Sequence, residues 1–140
     1  MSSTNYLLEI SERQRNGKSI VEDNKLMLRC SADIIGENDS KMVLKFRDYF
    51  VEVYFSNIHP LMVIRLVKFI DIPDCYDVLK IANDLNKDCL YGFHCYDYDV
   101  EKKRYYFQTV QWLDCVLSYA SFFERLEIYA REAEKFLTQL

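Results

Sequence analysis

Glycine and proline are scarce, three and two in 140 residues, where an average protein would carry roughly 12 % of the pair. The shortage excludes flexible linkers, collagen-like repeats and proline-rich disorder. Gly17, Gly36 and Gly92 stand too far apart to build a phosphate cradle, which needs clustered backbone N–H groups free of side chains. Long hydrophobic runs are also missing. The longest, Leu61 to Ile64, stops at Arg65, far short of the roughly 30 Å of a bilayer core, so no membrane partner is expected. Basic residues do not dominate either: 18 Lys and Arg against 22 Asp and Glu give a net charge of −4. A nucleic-acid surface would have to be a local patch working against that field, and none is expected. Residues Met1 to Asn5 lack a basic n-region, and the apolar stretch Tyr6-Leu7-Leu8 is broken at Glu9, so nothing predicts export. Five cysteines, odd in number and without framework spacing, suit a reducing cytoplasm better than a disulfide scaffold.

What is present is apolar bulk. Half the residues are hydrophobic and 15 % aromatic, enough for one core, and no low-complexity stretch divides the chain, so residues 1–140 read as one domain. Tyr6, Leu7 and Ile10 predict a short helix over 4–15, ended by Asn16-Gly17. Leu26, Leu28, Cys30 and Ala32 alternate, which predicts a strand over 25–35. Two further alternations, Met42/Leu44/Phe46 and Val51/Val53/Phe55, read as strands of a meander. Leu61 to Ile70 is apolar on both faces and reads as a central strand. Asp71-Ile72-Pro73-Asp74 opens a helix continued by Cys75, Val78 or Leu79, Ala82 and Leu85 as far as Asn86. Strands are predicted over 90–99 and 104–112, joined by Val100-Glu101-Lys102-Lys103. Ser121 and Glu124 form a capping box ahead of Phe122, Leu126, Tyr129 or Ala130, Ala133, Phe136 or Leu137 and Leu140. The order is helix, three or four strands, helix, two strands, helix. Strands grouped between helices predict an α+β domain with helices on an antiparallel or mixed sheet, and exclude a doubly wound dinucleotide fold.

Several of these stretches carry a resemblance. The strand Val63-Ile64-Arg65-Leu66-Val67, the helix end Ala82-Asn83-Asp84-Leu85-Asn86, the following Tyr91-Gly92-Phe93, and the Trp112 strand running into Phe122, Phe123, Ala133 and Phe136 resemble the YbjN family, whose members are similar in fold to type III secretion chaperones. The resemblance spans Lys41 to Leu140 and departs over the first 40 residues. It implies the order α-β-β-β-α-β-β-α, a homodimer, and protein binding or regulation without catalytic residues. It supplies no binding residues to carry over.

Read for chemistry, the residues argue against an enzyme. Cys89, His94 and Cys95, with Cys75 and His59 further off, contain the donors for zinc but no C-x-x-C knuckle, and adjacent strand residues such as His94 and Cys95 point to opposite faces. No metal or cofactor is therefore expected. Cys75, near a helix start, is the best placed nucleophile, yet Asp71, Asp74 and Asp77 would raise its thiol pKa. Asp97 and Asp99 share a strand face beside Glu101 and read as the wet tip of a hairpin, and Lys102-Lys103-Arg104 as a solvated turn. No catalytic residue is assigned.

The aromatic hairpin is the candidate for binding. With Asp99 facing Arg104, Tyr98 pairs with Tyr105, Tyr96 with Phe107 and His94 with Thr109 on one face, while Tyr91 meets Trp112 and Phe93 meets Val110 on the other. The second face is expected beneath the last helix. The first is expected to leave Tyr96, Tyr98, Tyr105 and Phe107 outward, as a surface that a protein partner or second copy covers. The function expected is a cytoplasmic, non-catalytic, chaperone-like or regulatory domain that recognises a protein segment, the alternative being a small redox or metal-binding protein using its cysteines.

Overall fold

The computed structural model describes residues 19–56, 58–71, 77–98 and 103–140. The first helix, α1, runs over 19–31. Six strands follow the alternating stretches: β1 (Ile34–Glu37), β2 (Lys41–Phe46), β3 (Tyr49–Phe55), β4 (Leu61–Phe69), β5 (Phe93–Tyr98) and β6 (Lys103–Trp112). Helix α2 (Val78–Asn86) lies between β4 and β5, and α3 (Tyr119–Leu137) closes the chain. The sheet order is β1-β2-β3-β4-β6-β5 with every neighbouring pair antiparallel. The expected α+β class, with helices on an antiparallel sheet, is observed.

Alternation explains which face is buried. Met42, Leu44, Phe46, Val51, Val53, Phe55, Met62, Ile64, Leu66, Tyr105 and Phe107 share one side of the pleat and form a single buried cluster with the inward stripes of the three helices. From α3 the stripe is Phe122, Leu126, Tyr129, Ala130, Ala133 and Phe136, the 3–4 spacing of an amphipathic helix. The β2–β3 hairpin turns at Arg47-Asp48, between the paired Phe46 and Tyr49. Arg47 has φ of 52°, a region hairpin turns usually give to glycine. Its guanidinium lies over the Phe46 ring and pairs with Glu127 of α3, which holds the turn against the helix.

Four expectations are corrected. The strand expected over 25–35 is helix α1, with β1 beginning only at Ile34. Its buried positions are Val21, Asn24 and Leu28, a helical stripe that passes through a polar residue and so escapes a hydrophobic count. Asn24 is fully buried because its amide donates to the Ile20 and Cys115 carbonyls and its oxygen accepts from Leu117 N–H, which satisfies every buried polar atom it brings. The N-cap of α3 is Ser118, accepting from Ser121 N–H, not Ser121. The basic run is not a solvated turn throughout: Arg104 lies in β6, paired with Glu52 and Asp97. The fourth correction concerns the faces of the β5–β6 hairpin and is given below. The helix expected over 4–15, Cys75 and the start expected for α2 at 71–76 fall largely outside the described residues. From Asp77, whose side chain accepts from Lys80 N–H as N-cap, α2 follows the expected spacing, with Val78 and Ala82 buried.

Candidate functional site

Pairing in the β5–β6 hairpin is Tyr98 with Lys103, Tyr96 with Tyr105 and His94 with Phe107. Partners are displaced from the expected ones by two residues, an even number, so no side chain changes face. What changes is the face the helices cover. Tyr105 and Phe107 are fully buried and Tyr96 is half-buried against the core; the side chain of Tyr98 lies outside the described residues. In the expected outward ladder of Tyr96, Tyr98, Tyr105 and Phe107, Tyr105 and Phe107 are thus inward and Tyr96 only partly exposed. Tyr105 enters the core because its polarity is absorbed there: the ring stacks on Phe136 at 4.1 Å between centroids, and the hydroxyl meets His94 Nδ1 at 2.8 Å. Trp112, expected beneath α3, is 67 % exposed on the opposite face, edge-on to His59.

No helix among the described residues covers that opposite face. Among its residues Phe50, Phe69, Phe93, Val110 and Trp112 are between 38 % and 67 % exposed. Phe50 and Phe69 meet edge to face and border a depression of about 320 Å³ lined also by Ile35, Val43 and Val67, with Glu52 and Arg104 at its polar side. Charges cross the face in a paired row. Lys41 Nζ and Arg104 Nη1 bind the two oxygens of Glu52 at 3.1 and 3.3 Å, and Arg104 Nη2 reaches Asp97 at 2.9 Å. Arg65 is clasped between the rings of Tyr54 and Tyr106, each 4.9 Å away, and donates through Nε to Gln108 at 2.6 Å. Desolvation pulls the Arg104 pKa down, but the bond to Asp97 and the charge of Glu52 outweigh it and hold the group above its ordinary value. The row is rigid, since each long cation is fixed by a planar partner or a ring.

On the covered side a second constellation forms where α2, β5 and α3 meet. Asn86, at the end of α2, binds the His94 backbone twice, donating to its carbonyl at 2.9 Å and accepting from its N–H at 2.6 Å. This fixes the edge strand β5 and aims the imidazole inward. The loop from Cys89 to Gly92 then passes so close to β6 that a Cβ at Gly92 would lie 2.4 Å from the Gln108 carbonyl oxygen; only glycine fits. Cys89, His94 and Glu132 are thereby gathered, their sulfur, imidazole nitrogen and carboxylate oxygen all within 4.8 Å of one another. His94 Nε2 is 3.1 Å from Glu132 Oε1. Oε2 of Glu132 accepts from Tyr91 at 3.0 Å and Lys135 at 2.7 Å.

The electrostatics assign the protons. Burial opposes the charge on Glu132, but bonds from Lys135, His94 and Tyr91 prevail and hold its pKa at about 2. Burial lowers the His94 pKa despite Glu132, so the ring is neutral. With a carboxylate on Nε2, that nitrogen carries the hydrogen, and Nδ1 accepts from the Tyr105 hydroxyl. Burial lifts the Tyr91 phenol to about 12, with Glu132 adding to it. The Cys89 thiol is pushed up by burial and by Glu132, against the pull of the Tyr91 and Gly92 amides. A thiol held protonated beside a carboxylate is poorly suited to nucleophilic attack. The two imidazole nitrogens of His94 are taken by Glu132 and Tyr105, so the ring is not aimed at the sulfur as a free base.

Of the residues weighed for a metal in the sequence, the fold joins Cys89 and His94, sends Cys95 to the open face beside Tyr106, and places His59 against Trp112. Glu132 was not foreseen. Its signal is present: counted from Tyr129 and Phe136 at helical spacing, a carboxylate falls on the inward stripe of α3.

No family model matches the sequence, and no curated protein matches it. Among solved structures, the crystal structure of YbjN from E. coli, for which a role in transcription regulation has been proposed, aligns with a TM-score of 0.58 and 8 % sequence identity over 81 % of this chain and 86 % of that one. The fold is the YbjN fold. The strand Val63 to Val67 lies at its centre as β4, and the helix end at Asn86 clamps β5. No helix among the described residues is long and apolar enough to cross a membrane.

Proposed function

We propose that the protein is a non-catalytic protein-interaction domain that acts as a homodimer through the face of its sheet opposite the described helices. The observation that carries this reading is the asymmetry of the sheet: one face is sealed by helices, while the other leaves Phe50, Phe69, Phe93, Val110 and Trp112 partly bare. Monomers seldom leave apolar patches of more than a few hundred Å² uncovered. A second copy is the occupant that the charges favour. The chain carries −4, which repels a copy of itself over most of the surface, but on this face Lys41 and Arg104 are paired with Glu52 and Asp97, while Arg65 lies between the rings of Tyr54 and Tyr106. A two-fold pair presents each copy with the same patch, so a patch whose carboxylates are neutralised within the same copy and that carries no net negative charge suits it. The odd number of cysteines in the sequence and their lack of framework spacing support a cytoplasmic setting. A regulatory role, as proposed for YbjN, would run through protein contacts, because the negative net charge disfavours direct DNA binding.

Sedimentation velocity tests this. The wild-type chain is expected to be dimeric at tens of micromolar, and a variant carrying Phe69→Ser with Trp112→Ser to be monomeric with an unchanged circular dichroism spectrum. A wild-type protein that stays monomeric up to millimolar concentration, or a double variant that stays dimeric, refutes the proposal. A monomer that binds an added apolar peptide on this face would replace the second copy with a foreign segment.

A further inference from the structure

We propose that Cys89, His94 and Glu132 form a binding site for one divalent transition-metal ion of the zinc type. The three donors are a thiol, an imidazole and a carboxylate, the set that suits zinc, and they come from three separate elements: the loop after α2, β5 and α3. Zinc bonds of about 2.0 to 2.3 Å set tetrahedral ligand atoms roughly 3.3 to 3.6 Å apart. His94 Nε2 and Glu132 Oε1 are already at 3.1 Å, and the three donor atoms lie within 4.8 Å, so a small rotation of the half-buried Cys89 closes the site.

The outer partners are also in place. A ligating imidazole needs a partner on its other nitrogen, and a ligating carboxylate one on its other oxygen. His94 Nδ1 has the Tyr105 hydroxyl, and Glu132 Oε2 has Tyr91 and Lys135. The Tyr91 and Gly92 amides face the Cys89 sulfur, ready to donate to a thiolate. Among the described residues Lys135 is the cation held against the site. It is mostly exposed and holds the outer oxygen, away from the space between the three donors. Cys89 is half-buried and Tyr91 44 % exposed, so the site is reached from solvent on their side. Binding replaces the S–H bond by a metal–sulfur bond, and that proton leaves to solvent. The hydrogen on His94 Nε2 is replaced by one on Nδ1, where the Tyr105 oxygen accepts it.

Titration of the metal-free chain with zinc chloride, and separately with cobalt chloride, tests the assignment. One ion per chain is expected, with a thiolate-to-cobalt charge-transfer band, and Cys89→Ser is expected to lose the band and weaken zinc binding at least ~100-fold. Should Cys89→Ser fail to fold, alkylation of the wild-type protein decides: one equivalent of zinc is expected to slow labelling of Cys89 at least ~10-fold while Cys30 and Cys115 label as before. Absence of the band in wild type, unchanged affinity in Cys89→Ser, or Cys89 labelling indifferent to zinc overturns the proposal. None of these outcomes depends on the oligomeric state.

Discussion

Replacing Phe107 and Trp112 by alanine, one at a time, separates the two faces of the sheet by energy. Both residues lie on β6, five positions apart, and by size alone the indole would be the greater loss. Phe107 is fully buried, with His94 edge-on at 5.1 Å, Tyr91 at 5.8 Å and Tyr129 at 6.0 Å between centroids. The loop at Gly92 presses on its ring, so the walls around it are built from other aromatic groups and from backbone that cannot collapse inward. Truncation removes the transfer energy of the ring and leaves most of the cavity, which places the loss at about 3–5 kcal/mol. Trp112 is 67 % exposed and touches His59, so truncation of the monomer gives up one edge contact and a minor share of buried area, under about 1 kcal/mol. Urea unfolding followed by far-ultraviolet circular dichroism reads both, at a protein concentration low enough to keep any dimer dissociated. The midpoint should fall steeply for Phe107→Ala and hardly move for Trp112→Ala, with the slope unchanged in both. Equal losses, or a larger one for Trp112→Ala, would show that the helices do not cover the Phe107 face and would refute the reasoning.

Gly92→Ala should destabilise by about 1–3 kcal/mol in the same assay, because the added methyl would meet the Gln108 carbonyl oxygen at 2.4 Å and the Phe107 ring at 2.6 Å; a neutral effect would mean that the loop stands off β6. Stability should also fall in alkali. Burial raises the phenol pKa values of Tyr49, hydrogen-bonded to Glu134, and of Tyr105 well above the ordinary value. Their contribution is therefore whole below the unfolded value of about 10 and is lost as pH rises beyond it, since the unfolded chain releases protons that the folded one keeps. Urea midpoints measured from pH 8 to pH 11 check this, as does tyrosinate absorbance: Tyr49 and Tyr105, together with Tyr91 at about 12, should stay silent over that range until the chain unfolds, and a full titration near pH 10 with the fold intact would contradict the burial.

Composition and local pattern by themselves determined the class of the fold and most of its elements. Met42/Leu44/Phe46, Val51/Val53/Phe55 and the run from Leu61 betray their strands because a sheet with one buried face forces alternation, and α3 shows its stripe because a long amphipathic helix repeats it over five turns. Helix α1 was illegible for a local reason: Asn24 occupies an inward position and is satisfied by Cys115 and Leu117, some ninety residues away in the chain. Only tertiary structure decided which face of the sheet the helices cover. Alternation in β6 yields two aromatic faces, Tyr105 with Phe107 and Tyr106 with Trp112, and neither is marked as the inner one, since a buried tyrosine is excluded only when its hydroxyl lacks a partner. His94 is that partner, and it stands on another strand, aimed by Asn86 from a helix. The cluster of Cys89, His94 and Glu132 was half legible. The first two are near neighbours in sequence, but the carboxylate that completes them reaches the site only because α3 packs back across β5, and no spacing along the chain records that crossing.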